Sequence, residues 1–250
     1  MELTLQLLAL LFAVAMIAGF VDAIAGGGGL LTIPALLLSG MSPVQALATN
    51  KLQSSAGSLS ASITMIKKGL VNPRTLKLAL ATAFIGSAIG TILVQLSAPE
   101  MLRKVLPFLI GAVGLYTLLS PKLGQLPSTP KISQRTYDRY VSPVIGFYDG
   151  YFGPAVGTFF SLSHVVLVGY QLVQATARAK LLNFATNLAS VIFFVLGGQV
   201  VWAVGLTMAC GQALGAYLGS HMVVKGGAKF VRPIIVLMCF AMLIKLVWVG

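Results

Sequence analysis

Only five acidic residues occur in 250 positions, and two of them stand at matching places in two similar stretches. Asp22 lies in "GFVDAIAGGGGLL" and Asp149 in "GFYDGYFGPAVGTFF", each just ahead of glycines within strongly apolar sequence. Two lysines match in the same way, Lys51 in "ALATNKLQSSAGSLSASI" and Lys180 in "ATARAKLLNFATNLASVI". At about 1.5 Å per helical residue, each amine sits about 12 to 14 Å inside its helix, deep enough that an ionised group there serves function or is paired. Burial and the carbonyl end of a preceding helix both disfavour a lone carboxylate. Two chemistries follow on an equal footing. Asp22 and Asp149 are candidates for proton coupling, or they form structural bridges, Asp22 with Lys51 and Asp149 with Lys180.

The glycines supply a second kind of chemistry. Four in a row, Gly26, Gly27, Gly28 and Gly29, break a helix and put the amides of Gly27, Gly28, Gly29 and Leu30 at the start of a half-helix, where the helix dipole favours an anion. The second copy, "GPAVG" from Gly153, places Pro154 as the first residue of the matching half-helix. Valine at Gly27 or Gly28 should abolish function, because a branched side chain resists positive φ. Spaced glycines, Gly86, Gly90, Gly215 and Gly219, read instead as helix-packing positions, where alanine, at Gly86 for example, should be mild. On the polar helices, Thr49, Gln53, Gly57 and Ser60 share one stripe and Lys180, Asn183, Asn187 and Ser190 another. Thr49, Asn50, Lys51, Gln53, Gly153, Arg178, Lys180, Asn183 and Asn187 join the four glycines as candidate anion-binding residues. Arg178 has no charged counterpart in the first copy, and His164 reads as a hydrogen-bonded interior residue.

The elements that must position these groups are membrane helices. The chain is 57% hydrophobic and 9% charged, with mean hydropathy +0.93, a surface that no ordinary soluble domain carries. Apolar runs of about 20 residues suit helices crossing about 30 Å of hydrocarbon, and the alternation of a membrane barrel is absent. The opening apolar segment has no basic start and reads as retained. Cys210 and Cys239 fall in apolar spans and indicate neither disulfide nor metal. The net charge of +12 gathers between spans, at Lys67, Lys68, Arg74 and Lys77, at Lys122, Lys131, Arg135 and Arg139, and at Lys225, Lys229 and Arg232, which is the bias of cytoplasmic loops.

The expected fold is therefore an all-α polytopic membrane protein, a single membrane domain over 1–250. Two repeats, 1–119 and 141–250, flank a cytoplasmic linker at 120–140. Each repeat holds a glycine-broken re-entrant hairpin, a polar helix (43–67, 171–196) and two apolar helices (74–97 and 99–119; 199–222 and 229–249), with a basic loop at Lys225 to Arg232. The charged "KKGLVNPRTLK" and its uncharged counterpart "GGQVVW" make the repeats inverted, with Met1 and Gly250 on the periplasmic face of a bacterial inner membrane. The arm "VSPVIGFYDGYF" is about half a span long. The first hairpin's arm is long enough to span, which leaves a fully spanning first element open.

The motif "GxxxGGGG(L)LTxPxLL", followed by "ALATNKLQSSxGSLSA" and "KKGLV", resembles the TauE/SafE sulfite exporter family over nearly the whole chain. That resemblance implies export of a small anion such as sulfite, sulfoacetate, sulfolactate or another organic acid, by alternating access to a midplane site. The second copy departs from the glycine-rich pattern, so the hairpins would contribute unequally. The rival is a cation or metal permease with Asp22 and Asp149 as ligands, chemically poor beside Lys51, Arg178 and Lys180. No nucleophile and base, metal motif or nucleotide loop marks an enzyme. No cofactor or nucleic acid is indicated; the expected partners are the anion, the bilayer and, as an open alternative, a second copy.

Overall fold

A computed structural model describes residues 4–98 and 129–249, with side chains to Lys225. Within these bounds every regular element is a helix, and the chain is an all-α membrane protein. The helix expected at 99–119, the first part of the linker, and both terminal residues lie outside the described residues. Helix α1 spans Leu5–Ala25, α2 Gly29–Leu38 and α3 Pro43–Lys67. A 3-10 turn, Pro73–Leu76, leads into α4, Lys77–Gln95. Local sequence sets these starts: Ser42 and Gln45 form a reciprocal capping box ahead of Pro43, and Asn72 caps the 3-10 turn.

In the second half a short helix, Gln134–Thr136, and a π turn, Tyr137–Val141, run into α5, Ser142–Tyr151. Helix α6, Val156–Ser163, continues as a π turn, His164–Val168, before α7, Leu172–Leu196. Helix α8 runs from Trp202 to Val249. Three of these, Leu5–Ala25, α4 with its 3-10 turn, and Leu172–Leu196, are long and apolar enough to cross a membrane.

Helix α2 folds back along α1, since Leu36 and Met41 are buried with Leu11 and Ala15. Helix α6 folds back along α5 likewise: the Tyr137 and Ser163 hydroxyls bond at 2.7 Å, and the Tyr137 ring lies 4.1 Å from that of His164. The hairpins enter from opposite ends of the bundle. The open end of the first packs with Ala46 at the start of α3 and Val204 at the start of α8. At the other end, where α3 finishes and α4 begins, Thr82 donates to the Asp138 carbonyl at 2.6 Å, and Met65, Leu76, Leu172 and Val165 share one cluster.

The two halves of the chain grip each other through small residues. Helix α4 lies against α5, Gly86 facing Pro143, Gly90 facing Phe147, Gly146 facing Ala83 and Gly150 facing Ser87. Helix α8 lies against α1 in the same fashion, with Gly211, Gly215 and Gly219 on Phe12, Met16 and Phe20, and Gly19 on Gln212. The outer surface is apolar at mid-helix, where Ile17, Ile85, Ile89, Ile192, Leu206 and Leu214 are exposed, while Thr49, Asn50, Ser58, Asn183 and Gln212 are buried. That is the polarity of a protein dissolved in lipid.

Two expectations change. The arm of the second hairpin is not half a span: the three, five and ten residues of its pieces add to about 27 Å of helix, because "QRTYDRY" is already helical behind a Ser133 cap. The loop expected at Lys225 to Arg232 is also absent, and α8 continues through it. "VVKGGAKF" has no proline to stop it, and glycine in a helix interior costs only about 1 kcal/mol.

The packing revises the mild outcome expected for alanine at Gly86. A methyl there lands on the Pro143 carbonyl oxygen, and one at Gly150 on the Ser87 carbonyl oxygen. Gly86→Ala and Gly150→Ala should each destabilise the protein by about 1–3 kcal/mol, measured as earlier thermal unfolding in detergent. Gly29→Ala, where the nearest atom to a new methyl is 3.6 Å away, should melt as wild type.

Candidate functional site

The hairpin tips meet in the centre of the bundle. Gly26, at φ 82°, ends α1, its amide donating to the Asp22 carbonyl at 2.8 Å. It lies directly on Gly157, and the Thr158 hydroxyl donates to the Ala25 carbonyl at 2.6 Å. No side chain fits between the two backbones at this crossing. The second tip turns through Gly153, at φ 91°, and Ala155, at φ 61°. Ala155 is the non-glycine residue with positive φ among the described residues, a strained conformation of the kind that concentrates at functional sites. Two left-handed residues flanking Pro154 delay the half-helix to Val156. Pro154 therefore precedes the helix instead of opening it, and its carbonyl accepts from the Tyr148 hydroxyl at 2.9 Å.

The four consecutive glycines have separate reasons. Only Gly26 takes the left-handed conformation, and Gly28 is already helical at φ −54°. A Cβ on Gly28 would lie 2.8 Å from the Asp22 Cβ and 2.9 Å from the Ala18 carbonyl oxygen, so close packing excludes a side chain there. Nor do all four amides face an anion. The Gly28 amide donates to Asp22 Oδ1 at 3.1 Å, and the Leu30 amide to the Gly27 carbonyl at 3.0 Å.

The charged groups pair across the two halves. Lys51, on α3, donates to Asp149 Oδ1 on α5, and both side chains are about 2% exposed. Lys180, on α7, donates to Asp22 Oδ2 on α1 at 2.9 Å and also to the Asp22 main-chain carbonyl. The bridges expected within each copy, Asp22 with Lys51 and Asp149 with Lys180, are thus replaced by crossed ones. The cause is the entry of the hairpins from opposite ends, which carries each aspartate to the polar helix of the other half. The Lys180 ammonium also faces the carbonyl end of α1, where the helix dipole is negative.

Between the tips lies a small polar cavity, lined by Asp22, Gly26, Gly29, Asn50, Asp149, Gly153, Asn183 and Asn187 from the sequence candidates. Ser54, Ala155, Val156 and Gly157 complete it. Asn50 is oriented by its neighbours: its Oδ1 accepts from the Thr32 hydroxyl at 2.6 Å and from Gln53 Nε2 at 2.8 Å, so its NH2 group is free to donate. Asn183 Oδ1 accepts from Asn187 Nδ2 at 3.1 Å, which leaves the Asn183 NH2 group in the same position. Both half-helices begin at the cavity, α2 with Gly29 and α6 with Val156.

Several candidates lie elsewhere. Thr49, Gly57 and Ser60 face the start and body of α8: the Thr49 hydroxyl accepts from the Val201 amide at 3.2 Å, Gly57 meets the Gln212 side chain, and Ser60 donates to the Ala213 carbonyl at 3.0 Å, while Gln53 bonds Asn50. The cavity takes the adjacent stripe, Asn50 and Ser54, one residue around the helix. Ser190 bonds Ser87 and Thr91 on α4. Arg178 does not line the cavity; its guanidinium stacks 3.9 Å over the Tyr170 ring. Ser54 was recoverable from sequence as the residue one turn after Asn50, and Gly157 from its place in "GPAVG". Nothing in the sequence marks Ala155 or Val156.

A family profile described as "Sulfite exporter TauE/SafE" matches residues 11–246. The chain belongs to that family. It is 49% identical over 248 residues to a Haemophilus influenzae protein named "Probable membrane transporter protein", covering 99% of this chain and 97% of the relative. It is 49% identical over 242 residues to the Escherichia coli "Probable membrane transporter protein YfcA", covering 97% and 90%. A Sinorhizobium relative, "Probable membrane transporter protein ORF9", is 43% identical over 246 residues, covering 98% and 94%. No solved structure matches.

Crossed pairing makes a specific prediction. Lys51→Gln strands the buried Asp149 carboxylate and should cost about 3–5 kcal/mol, seen as loss of monodisperse protein in size-exclusion chromatography. Adding Asp149→Asn should restore it, while adding Asp22→Asn should not. Rescue by Asp22→Asn alone would contradict the crossed arrangement.

Proposed function

We propose that this protein is a secondary transporter, exporting a small anion such as sulfite or a sulfonate, by alternating exposure of the cavity between the hairpin tips. The observation that carries this reading is the convergence of two half-helix N-termini on one cavity whose carboxylates are already neutralised. Asp22 and Asp149 each have a lysine, so the two pairs sum to zero. Each half-helix start adds roughly half a positive charge, leaving the cavity net positive. Backbone amides support the same reading: among the described residues those of Gly29, Val156 and Gly157, which line the cavity, have no hydrogen-bond partner. With the NH2 groups of Asn50 and Asn183, they form a neutral set of donors suited to an oxyanion.

A cation or metal permease fits less well, because a cation would have to displace a lysine from each aspartate. Hairpins that enter from opposite ends and touch at their tips support an inverted repeat, with the linker cytoplasmic and the first hairpin opening to the periplasm. Alternating access then amounts to loosening one hairpin while the other stays packed. The crossed lysine pairs are the groups such a motion must strain, and proton uptake by Asp22 or Asp149 would release them.

Counterflow in proteoliposomes tests this reading with labelled sulfite, sulfoacetate, phosphate, chloride and divalent metals. Exchange of sulfite or sulfoacetate is expected, with no metal uptake. Gly29→Ala, which folds but narrows the cavity, should weaken apparent affinity by about tenfold, or roughly 1.4 kcal/mol. Metal uptake with indifference to every anion would overturn the proposal.

A further inference from the structure

A second cluster of unused polar groups lies at the base of the second hairpin. Arg178 stacks on Tyr170, which fixes its guanidinium plane and leaves the edge to make hydrogen bonds. Its Nη1 is enclosed and has no partner among the described residues, and Arg178 takes part in neither of the ion pairs found there. Asp138 is within electrostatic reach, but its Oδ1 is held by Gln134 Nε2 at 2.6 Å. His164 is fully buried. Its Nδ1 donates to the Phe160 carbonyl at 2.7 Å, which fixes the ring, and its Nε2 is enclosed without a partner. The Tyr170 ring that carries Arg178 also lies 6.0 Å from the His164 ring, so the two side chains neighbour the same aromatic ring.

Buried donors and acceptors are almost always satisfied, and a group left over in each of two neighbouring side chains points to a ligand. The pair is complementary to one chemistry. Arg178 donates to oxygens of an anion. With Nδ1 carrying its hydrogen, neutral His164 accepts at Nε2. We propose that Arg178 and His164 form a second anion site, for a small oxyanion that still carries a proton, its hydroxyl donating to His164 and its other oxygens accepting from Arg178.

The site would be a loading station for the central cavity. Along α7, Arg178 precedes the cavity residue Asn183 by about 7.5 Å, and along α6, His164 follows the cavity residue Gly157 by about 10 Å. Both lie toward the linker, whose Lys131 and Ile132 amides bond the Leu167 carbonyl. This inference rests on the anion reading of the cavity but uses none of the cavity's residues.

The chain has two histidines, His164 and His221, so histidine is a usable spectroscopic probe. The full-length protein, with isotope-labelled histidine and reconstituted in nanodiscs, is titrated at mildly acidic pH, where sulfite carries a proton, with sodium hydrogensulfite and, as an oxyanion without a proton, sodium sulfate. His164→Asn identifies the signal. The His164 ring resonances should move saturably with sulfite and much less with sulfate. Arg178→Gln should weaken the response by about tenfold or more, and Arg178→Lys, which keeps the charge but loses the planar fork, should weaken it less. Gly29→Ala in the central cavity should leave it unchanged. A His164 signal that ignores sulfite, or that responds equally in Arg178→Gln, overturns the site. Wild-type counterflow of sulfite with a silent His164 removes this site alone; absence of both removes the anion reading as well.

Discussion

Two buried ammonium groups hold this structure together by reaching into the opposite half of the chain. Lys51 and Lys180 are each about 1% exposed, and neither could stay charged at that depth without a carboxylate in contact. The carboxylates stand on hairpin arms of the other half, Asp149 for Lys51 and Asp22 for Lys180. Separating the halves would therefore strand four charges in a medium that cannot solvate them. The glycine seams follow the same exchange, α4 on α5 and α8 on α1. The first arm of each hairpin lies against a helix of the other half, while the second arm packs on its own half, Leu36 with Ala46 and Phe160 with Leu182.

This exchange sets the character of the centre. Since the lysines are spent on the aspartates, the remaining field in the cavity comes from the starts of α2 and α6. Backbone amides and asparagine NH2 groups are neutral donors: they can stabilise an anion without the full charge that would hold it too tightly to release. The same economy explains Asp22, whose second oxygen takes the Gly28 amide. That contact pins the first tip to its own arm, so the tip is rigid while the cavity beside it stays polar.

Residue types were legible in the sequence, whereas partners were not. The matched aspartates, lysines and glycines identified both broken helices and most of the cavity, because ionised groups and glycine runs are rare in apolar helices and stand out when they recur. Pairing depends on which end of the bundle a hairpin enters, a long-range property that no local spacing encodes, so spacing alone places the bridges within each half. On α3 the cavity face is offset by one residue from the polar stripe, a rotation of about 100°: Thr49, Gly57 and Ser60 are polar or small because they pack on α8 and the residue before it. Ala155 carries its left-handed backbone without a glycine to announce it. The polar composition of "SQRTY" hides a Ser133 cap followed by helix.

The cavity shared by both hairpins is proposed to admit an anion. The most direct measurement is labelling of single cysteines at Ser54, from the first half, and Val156, from the second, in a protein whose Cys210 and Cys239 are replaced by serine. A membrane-impermeant anionic thiol reagent is applied in turn from each side of sealed vesicles, with and without sulfoacetate. The account predicts that both positions react and that sulfoacetate slows both reactions. Labelling of neither position from either side, or reaction at both that no small organic or inorganic anion slows, would contradict it.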